Sequence, residues 1–371
     1  MNDDAYRLLV RCAHLPGNPR ADHALAEMAS SFQAWDDVIP LAEAHSMAPL
    51  VYTHFKQLDL SISSSAKLQL QGLYLRHKRA NEIRLARLSG ILTLLKAGNI
   101  PVIVLKGGVL AYRIYPAPGL RPMNDLDILV PPNKAEAVVS ILREAGFTDS
   151  LFDDPTPPDH RHLPVVMQTT DEMVVSIEVH RALGGTPRFP EGESFDELWK
   201  TAVSYSFATV NADVSATAHM LGYEDMLWHL YAHMISEHTR LIRIVDIVGF
   251  AEQFMHEIDW QRIHTQYPQL IAALSVLDFV MPLSDGLRKT AVVPDGPKPD
   301  GADVMLQDWP PLPRHLWPGK TQREILQETF YPTEASLRLF YGIPVGRSLA
   351  FQRWLQHPSQ IFAWYVQKRV R

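Results

Sequence analysis

The sequence predicts an α/β (α+β) protein with a mixed central sheet and helical regions on both sides of it. Apolar strands alternate with helical segments between residues 101 and 181, which is typical of a sheet backed by helices. Before and after that stretch, apolar residues recur at helical spacing instead. We therefore divide the chain into an N-terminal helical region 1–98, an α/β region 99–205 and a C-terminal helical region 206–371.

The N-terminal region predicts several short helices over 3–58 and one long helix after them. A serine run ending at Ser65 supplies an N-cap for the long helix, which should extend to about Lys96. Ala-Gly-Asn then ends it, since glycine and asparagine favour helix C-termini.

The central region alternates apolar strands with helices. A helix is predicted from about Val109 to Ile114, and a second over NKAEAVVSILREAG. The predicted strands are VIVLK, LDILV, FTDSLF, PVVMQT and MVVSIEVH.

The C-terminal region predicts a helical bundle from about 216 to 280 and further helices after 320. Between them, residues 294–318 are too rich in proline and glycine for regular structure. Three large apolar residues in that segment argue against pure disorder, so we predict a connector that lies over the surface.

Composition limits the classes of function. The chain has 371 residues, 46% of them hydrophobic, which suffices for a substantial core, and its net charge is −6. Nucleic-acid binders usually carry a basic face, so a nucleic-acid partner is not expected. The single cysteine, Cys12, and the absence of a signal-peptide pattern or a long apolar run favour a cytoplasmic protein without membrane spans.

Acidic residues occur inside two of the predicted strands. Successive side chains of a strand point to opposite faces, so Asp125 and Asp127 share one face. The same alternation places Glu178 and His180 together in the later strand. Three converging carboxylates repel one another unless a cation neutralises them, and hard oxygen ligands suit Mg²⁺ or Mn²⁺. The sequence therefore predicts a divalent-metal site at Asp125, Asp127 and Glu178.

A glycine pair follows the first strand of the α/β region. Gly107 and Gly108 stand where that strand should end and a helix begin, a place where backbone can approach phosphate closely. No Gly-Lys-Ser/Thr follows, so this is not a P-loop, and a glycine pair alone is usually only a turn. Lys106 and Arg121 add positive charge nearby in the sequence.

These motifs, in this order, resemble a bacterial family of uncharacterised nucleotidyltransferases within the superfamily with a DNA polymerase beta-like palm. The matching motifs are Leu105-Lys106-Gly107, Arg121 followed by Asp125 and Asp127, and Glu178-Val179-His180. The likeness covers most of 35–275 and includes the predicted long helix before the first strand. One departure is the interval of 17 positions from Gly108 to Asp125, longer than is usual in the superfamily. Two explanations are open: the extra Pro116–Gly119 stretch forms a loop over the nucleotide, or this chain binds the phosphates differently from the rest of the superfamily.

The resemblance implies transfer of a nucleoside monophosphate from a nucleoside triphosphate, with ATP the expected substrate, to an acceptor. Its implied site residues are Asp125, Asp127 and Glu178 for metal and catalysis, with Glu178 as general base, and Lys106, Gly107, Gly108 and Arg121 for the nucleotide phosphates. His180 is implied either to orient Glu178 or to contact the acceptor, and His162 is a further candidate for the same rim of the site.

The C-terminal helical region contains a second group of polar residues. His229 and His233 share a helix face, but Leu230 replaces the glutamate of a His-Glu-x-x-His zinc site, so a zinc hydrolase is disfavoured. Arg243 and Asp246 either form a helical ion pair, which is the slightly favoured interpretation, or contact the nucleotide or acceptor.

Three hypotheses follow. The favoured one is a metal-dependent nucleotidyltransferase that acts on a small-molecule hydroxyl. The second is a transferase that places AMP or another nucleotide on a protein, in a toxin–antitoxin or peptide-maturation setting. The third is a catalytically silent palm that serves as a binding module, which the intact set of mutually repelling carboxylates disfavours.

Overall fold

A computed structural model describes residues 3–150, 161–170, 173–183, 193–207, 216–236, 240–302 and 321–370. The backbone packs into two units, each compact in space. Unit 1 contains residues 1–45 together with 230–371, and unit 2 contains residues 46–229. Both chain ends thus belong to one unit, and the central segment forms the other.

Unit 2 contains a seven-stranded mixed sheet. Its strands are β1 (Ile103–Val104), β2 (Asp125–Leu129), β3 (Thr148–Asp149), β4 (Val166–Thr170), β5 (Met173–His180), β6 (Val203–Phe207) and β7 (Ala216–Met220). Their spatial order is β3-β4-β5-β2-β1-β7-β6. The β2/β5 and β1/β7 pairs are parallel, and the other four neighbouring pairs are antiparallel. The two central long strands, β2 and β5, therefore place their side chains in matched rows.

Sixteen α-helices occur in the described part of the chain. They are α1 (Asp3–Arg11), α2 (Pro19–Ser30), α3 (Trp35–Ala44), α4 (Ala48–Gln57), α5 (Ser64–Ala97), α6 (Gly107–Arg113), α7 (Ala135–Glu144), α8 (Phe195–Thr201), α9 (Tyr223–Ser236), α10 (Leu241–Gln253), α11 (Trp260–Gln266), α12 (Pro268–Leu277), α13 (Asp285–Thr290), α14 (Gln322–Phe330), α15 (Glu334–Tyr341) and α16 (His357–Val370). A π-helical segment, Gln352–Gln356, precedes α16. None of these helices combines the length and apolar character that a membrane span would need.

In unit 2, α5 and α7 pack against β5, and α6 packs against β2. Ser63 caps α5 by accepting a hydrogen bond from the Ala66 N–H at 3.1 Å. The apolar residues of β2 and β5 that alternate with the acidic ones are buried, among them Leu126, Ile128 and Ile177. These residues anchor both strands in the core and leave the polar residues of β2 and β5 on the other face.

All the regular secondary structure in the described residues of unit 1 is helical. Helix α1 packs against α2 and α3, and α12 packs against α11 and α15. His45, just after α3, accepts a hydrogen bond at its Nδ1 atom from the Leu241 N–H of α10 at 3.3 Å. Its ring lies edge-on to that of Tyr6. Contacts far apart in sequence therefore hold this unit together.

The expected α/β architecture is confirmed, and the long helix has nearly its predicted bounds. The helix after the glycine pair begins two residues earlier than predicted, at Gly107, because both glycines form its first turn. The helical interpretation of the stretch from 216 was wrong at its start, since β7 extends the sheet before α9 begins. Strand β6, which pairs with β7, was not predicted either. In the 294–318 connector, residues 294–302 are irregular and the remainder lies outside the described residues.

Candidate active site

The acidic residues of β2 and β5 lie side by side in unit 2. In this parallel pair, Asp127 is the direct neighbour of Glu178, and Asp125 lies opposite Ser176. Because matched positions of paired strands project to the same side of a sheet, the three predicted carboxylates and His180 occupy one face.

Asp127 is the centre of a buried polar network. Its Oδ1 atom accepts a hydrogen bond from Lys106 Nζ at 2.8 Å and contacts His180 Nε2 at 2.9 Å. The same Nε2 atom lies 3.3 Å from Glu178 Oε2. Asp127 is 3% exposed, and His180 is 2% exposed. His180 thus bridges the two carboxylates that the strand register brings together.

The network is electrostatically matched. Burial alone would raise the pKa of Asp127, but Lys106 and His180 outweigh burial and hold that pKa well below its usual value. Burial likewise opposes the charged form of Lys106, and the attraction of Asp127 reverses this and raises the pKa of the lysine. The pKa of His180 is raised as well, because its hydrogen bonds to Asp127 and Glu178 exceed the cost of burial. Lys106 and His180 therefore favour the ionised form of Asp127.

The pKa of Asp125 is shifted in the opposite direction to that of Asp127. Burial and the charge of Asp127 raise the pKa of Asp125 to about 6, against weaker opposing effects of Lys106 and Arg121. A carboxylate that is destabilised in this way gains most from an added cation.

His162 lies beside His180, as the predicted placement on one rim requires. The two residues form an isolated antiparallel bridge, and their ring centroids are 5.4 Å apart. The Nδ1 atom of His162 lies 2.8 Å from the Leu163 carbonyl oxygen. The Nδ1 atom of His180 is buried and has no hydrogen-bond partner within the described residues.

The strand-to-helix turn at 106–108 is tightly packed. Lys106 has φ 44°, an unfavourable value for a residue with a side chain, so the turn holds its ammonium group in place at the expense of backbone strain. A Cβ atom on Gly108 would lie 2.8 Å from Val104 Cγ1, and one on Gly107 would lie 2.7 Å from Met123 Cγ. Close packing therefore requires glycine at both positions, and their role in phosphate binding stays a prediction.

The segment with the extra Pro116–Gly119 residues lies against α5. A 3₁₀ turn, Pro118–Leu120, precedes Arg121, and Asn81 of α5 donates to both the Pro118 and the Arg121 carbonyl oxygens at 2.7 Å. Arg121 NH1 donates to the Pro122 carbonyl oxygen at 2.9 Å. The same NH1 atom lies only 2.8 Å from where a Cβ of Gly107 would be, so the guanidinium covers the glycine turn.

Sequence reasoning missed one cation of this site, Arg84 of α5. It is 8% exposed and interacts electrostatically with Asp125, and burial lowers its pKa. Nothing in the sequence distinguishes Arg84 from the exposed arginines nearby in the same helix, so its burial could not be predicted.

Two further predicted residues belong to the other unit. Arg243 and Asp246 belong to α10 of unit 1, where Arg243 NH1 donates to the His233 carbonyl oxygen at 3.2 Å and Asp246 is buried. Their role at the acceptor stays a prediction. In the part of the chain that the structure describes, His229 and His233 do not belong to a group of three close metal-ligating side chains.

The donor atoms fit a divalent metal. One ligand atom each from Asp127, Glu178 and His180 lies within 4.8 Å of the others, and the unfavourably buried charge of Asp125 adjoins them. Carboxylate oxygens suit Mg²⁺ and Mn²⁺, and an imidazole nitrogen adds to the affinity for Mn²⁺.

Comparison with known protein families gives a match over the middle of the chain. A family model described as uncharacterised nucleotidyltransferase matches residues 31–280, about two thirds of the chain and including every strand of the sheet. No curated protein and no solved structure matched the chain. A mixed sheet with paired acidic strands is consistent with the polymerase beta-like palm, and nucleotidyltransferases take a nucleoside triphosphate as substrate. The chain therefore belongs to this uncharacterised nucleotidyltransferase family.

Proposed function

We propose that the protein transfers a nucleoside monophosphate from a nucleoside triphosphate, with ATP as the first candidate, to a hydroxyl group of a small molecule. The observation that carries this proposal is the parallel register of Asp127 and Glu178, with Asp125 on the same face. Two strands that place three carboxylates together have little structural reason to do so, because the charges repel one another.

The donor set supports Mg²⁺ or Mn²⁺ at Asp125, Asp127 and Glu178, with His180 as a further ligand or as the residue that orients the two carboxylates beside it. Such a metal would neutralise charge on the triphosphate and on the leaving pyrophosphate. Lys106 holds Asp127 at 2.8 Å, so the ionised form of this carboxylate persists.

Glu178 is the proposed general base. Its side chain is 22% exposed, so an acceptor hydroxyl can reach it, and His180 fixes it at 3.3 Å. The hydroxyl proton moves to the Glu178 carboxylate as the acceptor oxygen bonds to the α-phosphorus. The bond between that phosphorus and its bridging oxygen breaks, and pyrophosphate leaves with the bond's electron pair. Arg121, at the glycine turn, is the predicted residue beside this leaving group.

A small-molecule acceptor is preferred to nucleic acid because the chain carries 35 basic against 41 acidic residues. A protein acceptor is the competing possibility. Incubation with labelled ATP separates the two, since label retained on protein in a denaturing gel would favour protein modification and contradict the preferred acceptor.

Calorimetric titration of MgATP, MgGTP, MgCTP and MgUTP tests the site itself. We expect the wild type to bind at least one of them in a metal-dependent manner, and Asp125→Asn to lose this binding while it stays folded. Because the Asp125 carboxylate accepts no hydrogen bond among the described residues, this variant changes charge with little effect on packing. Absence of binding by every nucleotide, or equal binding by folded Asp125→Asn, would contradict the proposal.

A further inference from the structure

The feature that this function leaves unexplained is Arg84, a buried arginine in the middle of α5. Its residue exposure is 8%, and its Nε atom makes no hydrogen bond. Across the described residues, the Arg84 side chain makes neither an ion pair within 4.0 Å nor a hydrogen bond, and its charge interacts with that of Asp125 only over a longer range.

Its neighbours in the helix show how unusual this is. Arg79 is exposed and pairs with Glu82 at 3.8 Å, and Arg87 donates to Thr170 Oγ1 at 2.8 Å. A guanidinium has five N–H donors and cannot be deprotonated in proteins, so burying it without partners is costly. Such a cost is retained where a ligand supplies the missing partner.

Contacts of the same helix face show where Arg84 points. Asn81, one turn before it, holds the Pro118 and Arg121 carbonyl oxygens. Leu88, one turn after it, has its Cδ2 atom 3.3 Å from where a Cβ of Gly108 would be. Residues three and four positions apart share a helix face, so Arg84 faces the space between the Arg121 segment and the glycine turn, beside Asp125.

We infer that Arg84 binds phosphate oxygens of the triphosphate in this space. The inference rests on the proposed function, and it adds a binding residue to the predicted Lys106, Gly107, Gly108 and Arg121. A triphosphate carries more negative charge than one divalent ion neutralises, and Lys106 already serves Asp127 at 2.8 Å. Arg84 supplies a cation whose side chain no other described group binds, with a fork of donors that matches phosphate.

Tripolyphosphate with Mg²⁺ is the appropriate probe, since it has the three phosphates without base or sugar. Its affinity for the full-length protein is measured by competition against the MgNTP that the wild type binds. We expect Arg84→Gln to lower the affinity for both ligands about 10- to 100-fold, as the loss of a charge-assisted hydrogen bond does. Arg84→Lys should fall between Arg84→Gln and the wild type, because it keeps the charge and loses the fork.

Arg79→Gln is the matched control, because Arg79 is an arginine of the same helix outside the site. Its affinity for both ligands should lie within about twofold of that of the wild type. Thermal unfolding supplies a second readout. Removal of an unpaired buried charge should leave the melting temperature of Arg84→Gln and Arg84→Met unchanged or higher. A melting temperature lowered by several degrees in both would identify Arg84 as a structural partner of Asp125 and overturn the inference.

The two proposals fail in different ways. If the wild type binds MgNTP, Asp125→Asn loses that binding and folded Arg84→Gln does not, the proposed function stands and the inference about Arg84 is wrong. If the wild type binds neither MgNTP nor tripolyphosphate, the proposed function fails, and the inference fails with it.

Discussion

At the scale of the residue, two aspartates in one short strand have opposite electrostatic surroundings. Asp127 is ionised between Lys106 and His180, and its folded-state pKa is lowered. Among the described residues, no side chain forms an ion pair or hydrogen bond with the Asp125 carboxylate, and its folded-state pKa is raised to about 6. In a metal-free protein, ionised Asp127 therefore stabilises the fold, whereas ionised Asp125 destabilises it.

Asparagine at these two positions should consequently have the same effect on activity and different effects on stability. We expect Asp125→Asn to raise the free energy of unfolding by about 1 kcal/mol, because it removes a poorly solvated charge. Asp127→Asn should lower that free energy by about 3 kcal/mol, because Lys106 loses its buried counterion. Urea denaturation at neutral pH with a chelator measures both, and nucleotide turnover should be lost in both. Equal stability changes in the two variants would refute the electrostatic assignment.

The pH dependence of stability has a definite sign at each position. The contribution of Asp127 is present above its unfolded pKa, near 4, and is lost as pH falls through its lower folded value. Neutral Asp125 favours the fold, and this contribution is lost as pH rises through about 6. Between pH 5 and about 7, the wild type should therefore lose stability relative to Asp125→Asn, and denaturation curves across that interval check it.

At the scale of the element, α5 holds the segment that carries Arg121. Asn81 is 1% exposed and donates both of its amide hydrogens to backbone carbonyl oxygens of that segment at 2.7 Å. Without this amide, two half-buried acceptors lose their donor, and the guanidinium over the glycine turn loses its fixed backbone. The helix thus acts as a support for the predicted nucleotide-binding residues as well as a layer over the sheet.

Asn81→Ala tests that support. We expect the free energy of unfolding to fall by about 2 kcal/mol, as for two lost hydrogen bonds of a buried amide, and MgNTP binding to weaken because Arg121 is less well positioned. Denaturant unfolding and calorimetry measure the two effects. Glu82→Ala, the next residue of the helix, loses only a long surface pair at 3.8 Å and should change neither quantity appreciably. Unchanged stability in Asn81→Ala would show that the segment holds its place without this amide.

The same elements show what sequence can predict here. The carboxylates of β2 and β5 could be assigned to one face because strand alternation is local, and α5 could be bounded because Ser63 is a local cap. Strands β6 and β7 were missed, since the five residues of β7 become a strand only through pairing with β1 and β6. Arg84 was missed for a related reason, because burial of a charge in a basic helix depends on what packs against it.

At the scale of the whole molecule, the chain begins and ends in one unit and forms its sheet in the other. Unit 1 joins α1–α3 to helices that follow almost 200 residues later, through contacts such as that between His45 and Leu241. Closure of such distant segments stabilises a unit only when its packing is complete. The state of the N-terminal helices therefore reports on the integrity of unit 1.

Cys12 provides that report. It is the single cysteine, fully buried after α1, and burial strongly raises the pKa of its thiol. The thiolate is the reactive form, so we expect Cys12 in the native protein to react with a thiol reagent at pH 8 about 100-fold or more slowly than an exposed cysteine. Ser30→Cys in a Cys12→Ala background is the control, since Ser30 is exposed in α2 of the same unit. In denaturant, labelling of Cys12 should accelerate over the range in which unit 1 unfolds. If Cys12 reacted as fast as the control under native conditions, α1 would open readily, and the packing of unit 1 would not depend on the N-terminal helices.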